Sequence, residues 1–179
     1  MSSSKIERVD ISSLEIIHYP DPRLREVCTA VEDPTDAGVR ALVARMFDLM
    51  FAARGVGLAA PQVGVTVRLF IASPGFDLED RRVYVNPQIV SADGRQDGEE
   101  GCLSFPGIRC KVKRAAHATV RATGLDGKEF EEAGQDLAAR IFQHELDHID
   151  ARLLVDRMGS VARLANRRAI KDLEAGLGG

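Results

Sequence analysis

The octapeptide QHELDHID, residues 143–150, sets His144 and His148 four positions apart, with Glu145 directly after the first. Four residues of α-helix turn through about 400°, so the two imidazoles leave nearly the same face, one turn apart. Two ring nitrogens at that separation suit one metal ion, each about 2.1 Å from it. Glu145, offset by about 100°, reaches a water beside such an ion without ligating it. A catalytic centre of this kind usually takes three protein ligands and keeps one open position. No histidine follows His148; Asp150 points about 200° away from it on a helix, Asp156 lies beyond a break, and Glu174 offers a carboxylate in the last helix. The stronger candidate is upstream, in EGCLSFP (100–106), where Cys102 stands between Gly101 and Pro106 on a chain expected to turn sharply after DGEE. Alone, Cys102 would read as a small buried hydrophobe. With two neutral imidazoles, its thiolate leaves a divalent ion at about +1, a charge that a hydroxide neutralises, so the group suits activation of water.

A second stretch raises a different question. GVGLAAPQVG (55–64) carries three glycines and a proline among small apolar residues, and Gln62 is its one side chain able to donate a hydrogen bond. Other candidates read as structural. Cys28 and Cys110 lack glycine–proline framing, and His18 and His117 have no partner residues nearby in sequence. The basic clusters KVKR (111–114) and RLANRR (163–168) read as solvated faces.

The elements that must position these residues follow from periodicity. Val39, Leu42, Val43, Met46, Phe47 and Met50 recur at helical spacing, which predicts a helix over 36–53 with Gly55 stopping it. VRLFIAS (67–73), RRVYVNPQIV (81–90), GIRCKVKR (107–114) and HATVRAT (117–123) read as strands, and residues 125–127 as a turn before KEFEEAG (128–134). A second helix is expected over 135–150 and a third over 160–175. Strands clustered between helices, not alternating with them, predict an α+β fold with mostly antiparallel sheets around a central helix bearing the two histidines.

Length and composition agree with one catalytic domain over 1–179, its ends 1–10 and 176–179 expected to fray. The chain has 179 residues, 45% hydrophobic and 28% charged, with net charge −3. That balance gives no reason to expect DNA or an acidic membrane as partner. No apolar run approaches the roughly 18 residues of a membrane span, and the N-terminus lacks the pattern of a secretory signal. A cytoplasmic location is the expectation, with three cysteines held as thiols.

GVGLAAPQVG, EGCLSFP and QHELDH, in this order, resemble the three signature motifs of the peptide deformylases, and the resemblance runs from HYPDPRLR (18–25) to RLLVDRM (152–158). Those enzymes remove the formyl group from the N-terminus of newly made bacterial and organellar polypeptides, releasing formate. The resemblance implies Cys102, His144 and His148 as ligands of one divalent ion. Fe²⁺ is the expected native metal, with Zn²⁺, Ni²⁺ or Co²⁺ in preparations. It implies Glu145 as general base and acid, accepting a proton from the metal-activated water and returning one to the departing amine. It answers the question of Gln62 as well: the side-chain amide and the backbone N–H of Leu103 become donors to the oxyanion formed at the formyl carbon. Leu137 and Ile141 precede the two histidines on one face, and with Val56 they wall either a pocket for the methionine side chain or plain core. Gly57 backbone groups are expected to pair with an extended formyl-methionyl peptide. Glu100 and Asp147 are candidates to orient the imidazoles, Arg140 has no assigned role, and the basic C-terminal helix permits a contact with the ribosome near the exit tunnel. Ala151 departs from the pattern, standing where many members carry glycine, and a left-handed backbone there would cost about 1 kcal/mol. Two rival readings are a zinc endopeptidase that would not use Cys102, and a catalytically inactive formyl-peptide-binding relative.

Overall fold

The structure, a computed structural model, describes Ile6 and residues 9–176. Helix α1 (Ala37–Ala52) begins where Asp36 accepts a hydrogen bond from the Gly38 N–H. All six residues of the predicted apolar stripe are buried on it. The helix ends in a Schellman motif: the N–H of Arg54 donates to the carbonyl of Phe51, and that of Gly55 to the carbonyl of Met50. The left-handed residue is Arg54, at φ 56°, so Gly55 is not the stop that periodicity implied. Gly55 lacks a side chain for another reason, since a Cβ there would lie 2.7 Å from Leu103 Cδ1.

The strands are β1 (Gly57–Ala59), β2 (Leu69–Ala72), β3 (Arg82–Asp93), β4 (Gln96–Cys102), β5 (Phe105–Arg114), β6 (His117–Thr123) and β7 (Glu129–Gln135). Five form an antiparallel sheet in the order β1-β2-β3-β6-β7, while β4 and β5 make a separate antiparallel hairpin. The α+β expectation with antiparallel sheets therefore holds. Inside β3 the register shifts between Val85 and Gln88, and there Asn86 takes φ 51° and turns its side chain to the backbone N–H and carbonyl of Val31. Strand β4 had no counterpart in the sequence reading. Its inward positions are Gly98, Glu100 and Cys102, not an apolar series, and the sharp turn comes after Cys102, not after DGEE.

Helix α2 (Leu137–Ile149) lies on the five-stranded sheet, where Ile141, Phe142 and Ile149 join Phe70, Tyr84, Val120 and Ala122 in a buried cluster. Phe142 fits because Gly134 on β7 has no side chain: a Cβ there would sit 2.6 Å from the Phe142 ring. The helix closes with a second Schellman motif, Ala151 N–H to His148 and Arg152 N–H to Asp147, and Ala151 has φ 58°. The predicted third helix is interrupted. It runs as α4 (Ser160–Ala165) and α5 (Arg167–Glu174) after a short α3 (Leu154–Arg157), with a break at Asn166, whose side chain donates to the carbonyls of Ala162 and Arg109. No helix among the described residues is long and apolar enough to cross a membrane. Most of the ends expected to fray (1–5, 7, 8 and 177–179) lie outside the described residues; of the remainder, Ile6 is buried and Asp10 caps the turn Ile11–Ser13.

Candidate functional site

The β4–β5 hairpin and helix α2 carry residues far apart in sequence to one point. Cys102 ends β4 with Sγ 3.2 Å from His148 Nε2, which in turn lies 3.3 Å from His144 Nε2. Among the described residues these three form one group whose donor atoms all fall within 4.8 Å of one another. One thiolate and two imidazole nitrogens so gathered fit a divalent transition ion. The alternative third ligands are engaged elsewhere: Glu174 accepts from the Tyr19 hydroxyl, Asp150 pairs with Arg68, and Asp156 pairs with Arg25. The other two cysteines, Cys28 and Cys110, are buried, and burial pushes the Cys110 thiol up.

Gln62 sits in the single turn Ala60–Val63 and is 1% exposed. Its Oε1 accepts from the Ala59 N–H at 2.9 Å, which fixes the amide orientation and turns Nε2 toward Ser104 Oγ, at 3.2 Å, and Cys102 Sγ, at 3.4 Å. Glu145 is buried on the helix face beside the cluster, and its Oε2 has no hydrogen-bond partner among the described residues. Burial pushes its carboxyl up to about 7. Gly57 makes room for it, because a Cβ at that position would lie 3.0 Å from Glu145 Cδ and closer still to Oε1.

Behind the histidines lies a buried charge network. Glu100 accepts from Arg114 Nε at 2.8 Å, Arg114 Nη2 at 3.0 Å and Arg140 Nη1 at 2.7 Å, and its Oε2 is 2.8 Å from His144 Nδ1. Burial alone would raise the Glu100 carboxyl, but the hydrogen bonds from His144 and Arg114 outweigh it and hold it well below the usual range. Asp147 makes no hydrogen bond to an imidazole among the described residues; it takes Arg114 Nη1 at 2.6 Å and both ends of the Arg157 guanidinium. Arg140 also donates to the carbonyls of Gly98 and Val112 and to Gln96, so it ties the hairpin to the helix. A Cβ at Gly98 would lie 2.9 Å from Arg140 Cζ, which explains a glycine in the middle of β4.

The cluster opens into a cleft of about 690 Å³. Val56, Gly57, Gln62, Cys102, Leu103, Leu137, Ile141, His144 and Glu145 all line it, while His148 lies beneath. Ile141 is buried and Leu137 stands half-exposed at the mouth.

A sequence model of the polypeptide deformylase family matches residues 13–164. The chain belongs to that family. It is 45% identical over 164 residues to a peptide deformylase of Acidobacterium capsulatum, covering 90% of this chain and 96% of the relative. Against that of Chromobacterium violaceum the identity is 42% over 161 residues, with the same two coverages. The crystal structure of a peptide deformylase from Legionella pneumophila superposes with a TM-score of 0.85 at 42% identity, over 90% of this chain and 95% of that one. A plant peptide deformylase gives 0.88 at 37% identity, over 92% and 91%. Deformylases are metal-dependent enzymes, and the Cys102, His144 and His148 group fits such an ion.

Some residues in and around the deformylase cleft have roles that sequence spacing does not reveal. Ser104, which holds Gln62, follows a motif cysteine with nothing to mark it. His18, which has no partner residues nearby in sequence, lines the cleft, whereas His117 stands on the surface 3.1 Å from Asp93. Arg114 corrects the view of KVKR as a solvated face, since it is only 7% exposed. Strand alternation was the missed signal: it points Val112 and Arg114 inward and leaves Lys111 and Lys113 in solvent.

Proposed function

We propose that this chain hydrolyses the N-terminal formamide of formyl-methionyl nascent polypeptides to formate and a free amine, with Cys102, His144 and His148 holding the required ion. The observation that carries this reading is the convergence of the Cys102 sulfur with both imidazole nitrogens, bordered by an unpartnered Glu145 oxygen and an oriented Gln62 amide. When bound, a divalent ion supplies Lewis acidity, lowering the pKa of a water and drawing charge from the formyl oxygen. The Cys/His₂ set suits Fe²⁺, Zn²⁺, Ni²⁺ or Co²⁺, and Fe²⁺ is the native metal on this reading.

Glu145 takes the proton from the attacking water and returns one to the departing α-amine. Its position supports both transfers, because Gly57 leaves the carboxylate in contact with the cleft. Gln62 Nε2 and the Leu103 backbone N–H donate to the oxyanion, and Ala59 keeps the Gln62 carbonyl turned away from it. Glu100 accepts from His144 Nδ1, which leaves Nε2 as the free lone pair of that ring. Val56, Leu137 and Ile141 take the methionine side chain, and the Gly57 backbone, on the edge of β1 that β2 leaves free, pairs with the peptide. A single catalytic domain carries these parts. It works in the cytoplasm, and the exposed basic segment 163–168 docks it on the ribosome near the exit tunnel.

The test is formate release from formyl-Met-Ala-Ser by anaerobically prepared enzyme loaded with Fe²⁺ or Ni²⁺. Turnover is expected, and Glu145→Gln should keep its metal while losing about 10²–10⁴ in rate. Correctly metallated protein with no turnover would overturn the activity, and a Glu145→Gln variant of near-normal rate would remove Glu145 as the base.

A further inference from the structure

One charge on the rim of the cleft is left unmatched among the described residues. Arg54 lines the cleft just past α1 and is exposed, and its guanidinium has no ion-pair or hydrogen-bond partner among the described residues. The two other arginines of the cleft are answered: Arg109 by Glu99 at 3.7 Å, and Arg140 by Glu100. Arg54 also occupies the left-handed position of the α1 Schellman motif, where glycine would be unstrained. A strained arginine with a free charge, facing a substrate cleft, is an arrangement that stability alone does not favour.

The direction of the chain indicates what that charge would meet. Gln62 and Cys102 mark the reacting end of the cleft, and the backbone runs away from them back through β1 to Val56, Gly55 and Arg54. One edge of β1 pairs with β2. A peptide laid antiparallel along the other edge, its formyl group at Gln62 and its methionine beside Gly57, advances about 3.4 Å per residue toward Arg54. Its third and fourth residues then come within reach of the guanidinium.

We propose, on the deformylase reading given above, that Arg54 is a specificity-determining residue favouring an acidic side chain about two residues downstream of the formyl-methionine. The interaction is solvent-exposed, so it is modest and screened by salt.

The test compares formate release by metal-loaded enzyme from formyl-Met-Ala-Asp-Ala, formyl-Met-Ala-Ser-Ala and formyl-Met-Ala-Lys-Ala. At low ionic strength kcat/KM should fall in that order, by about 5-fold between the extremes, and the spread should narrow in high salt. Arg54→Gly should level the ranking while raising Tm by about 2–4 °C, since glycine suits that backbone and folding is not put at risk. Arg54→Glu should invert the ranking. Brisk turnover with equal kcat/KM for the Asp and Lys peptides, or an unchanged ranking in Arg54→Gly, would overturn the proposal. No formate from any of the three peptides would sink the deformylase reading and this proposal with it.

Discussion

Helix α2 has two flanks built on opposite principles. Toward the five-stranded sheet it presents Ile141, Phe142 and Ile149, packed on Phe70, Tyr84 and Val120. Toward the β4–β5 hairpin it presents Arg140, His144 and Asp147, met by Glu100 and Arg114. The apolar flank gains free energy with every side chain buried, about 1.5–3 kcal/mol each, and its contacts are interchangeable in kind. The ionic flank gains little net stability, because desolvation offsets attraction, but each of its members is indispensable to the others. The difference shows where stability and geometric definition reside: the sheet side anchors the helix, and the hairpin side sets the angles at which Cys102 and His144 meet.

The largest difference between the flanks is expected at Arg114. Replacing it with Met leaves Glu100 and Asp147 buried without their shared partner, and a loss of about 3–5 kcal/mol is expected by denaturant unfolding. Phe142→Leu on the other flank should cost only about 1.5 kcal/mol, since the apolar cluster can repack. Arg114→Met should also weaken metal retention against a chelator, whereas Phe142→Leu should not. Similar effects of the two substitutions on stability and metal retention alike would mean that the flanks do not differ as described.

A smaller effect, of opposite sign, sharpens the same contrast. Ala151 holds φ 58° at the end of the ionic flank, and its motif borrows the carbonyls of His148 and Asp147. Ala151→Gly should stabilise the protein by about 1 kcal/mol, read as a rise in the denaturation midpoint at unchanged m-value. A destabilised variant would show that alanine makes contacts there that outweigh its strained backbone.

Parts of the molecule also differ in how legible they are in the sequence. The stripe from Val39 to Met50 and the pair of histidines declare themselves through helical spacing, which needs no knowledge of the partner surface. Strand β4 was invisible because its inward face is Gly98, Glu100 and Cys102, which apolar periodicity does not register. Its burial depends on Arg114 and Arg140 from two other elements, so no local pattern contains it. Gly55 misled for a similar reason: it suits a helix stop, but contact with Leu103 from another motif explains its missing side chain. The interruption at Asn166 rests likewise on a tertiary hydrogen bond, to the carbonyl of Arg109. Motifs were legible where a residue type and a local spacing carry the chemistry, and illegible where a remote partner gives a residue its role.

Everything proposed for the site depends on the sulfur of Cys102 completing the donor set of His144 and His148. Its most direct measurement is metal content per chain, with the visible spectrum of the Co²⁺ form, in the parent protein and in Cys102→Ala. One equivalent of metal and a thiolate-to-cobalt charge-transfer band in the parent, both lost in the variant, is the predicted result. A full equivalent retained by Cys102→Ala, with an unchanged spectrum, would contradict it.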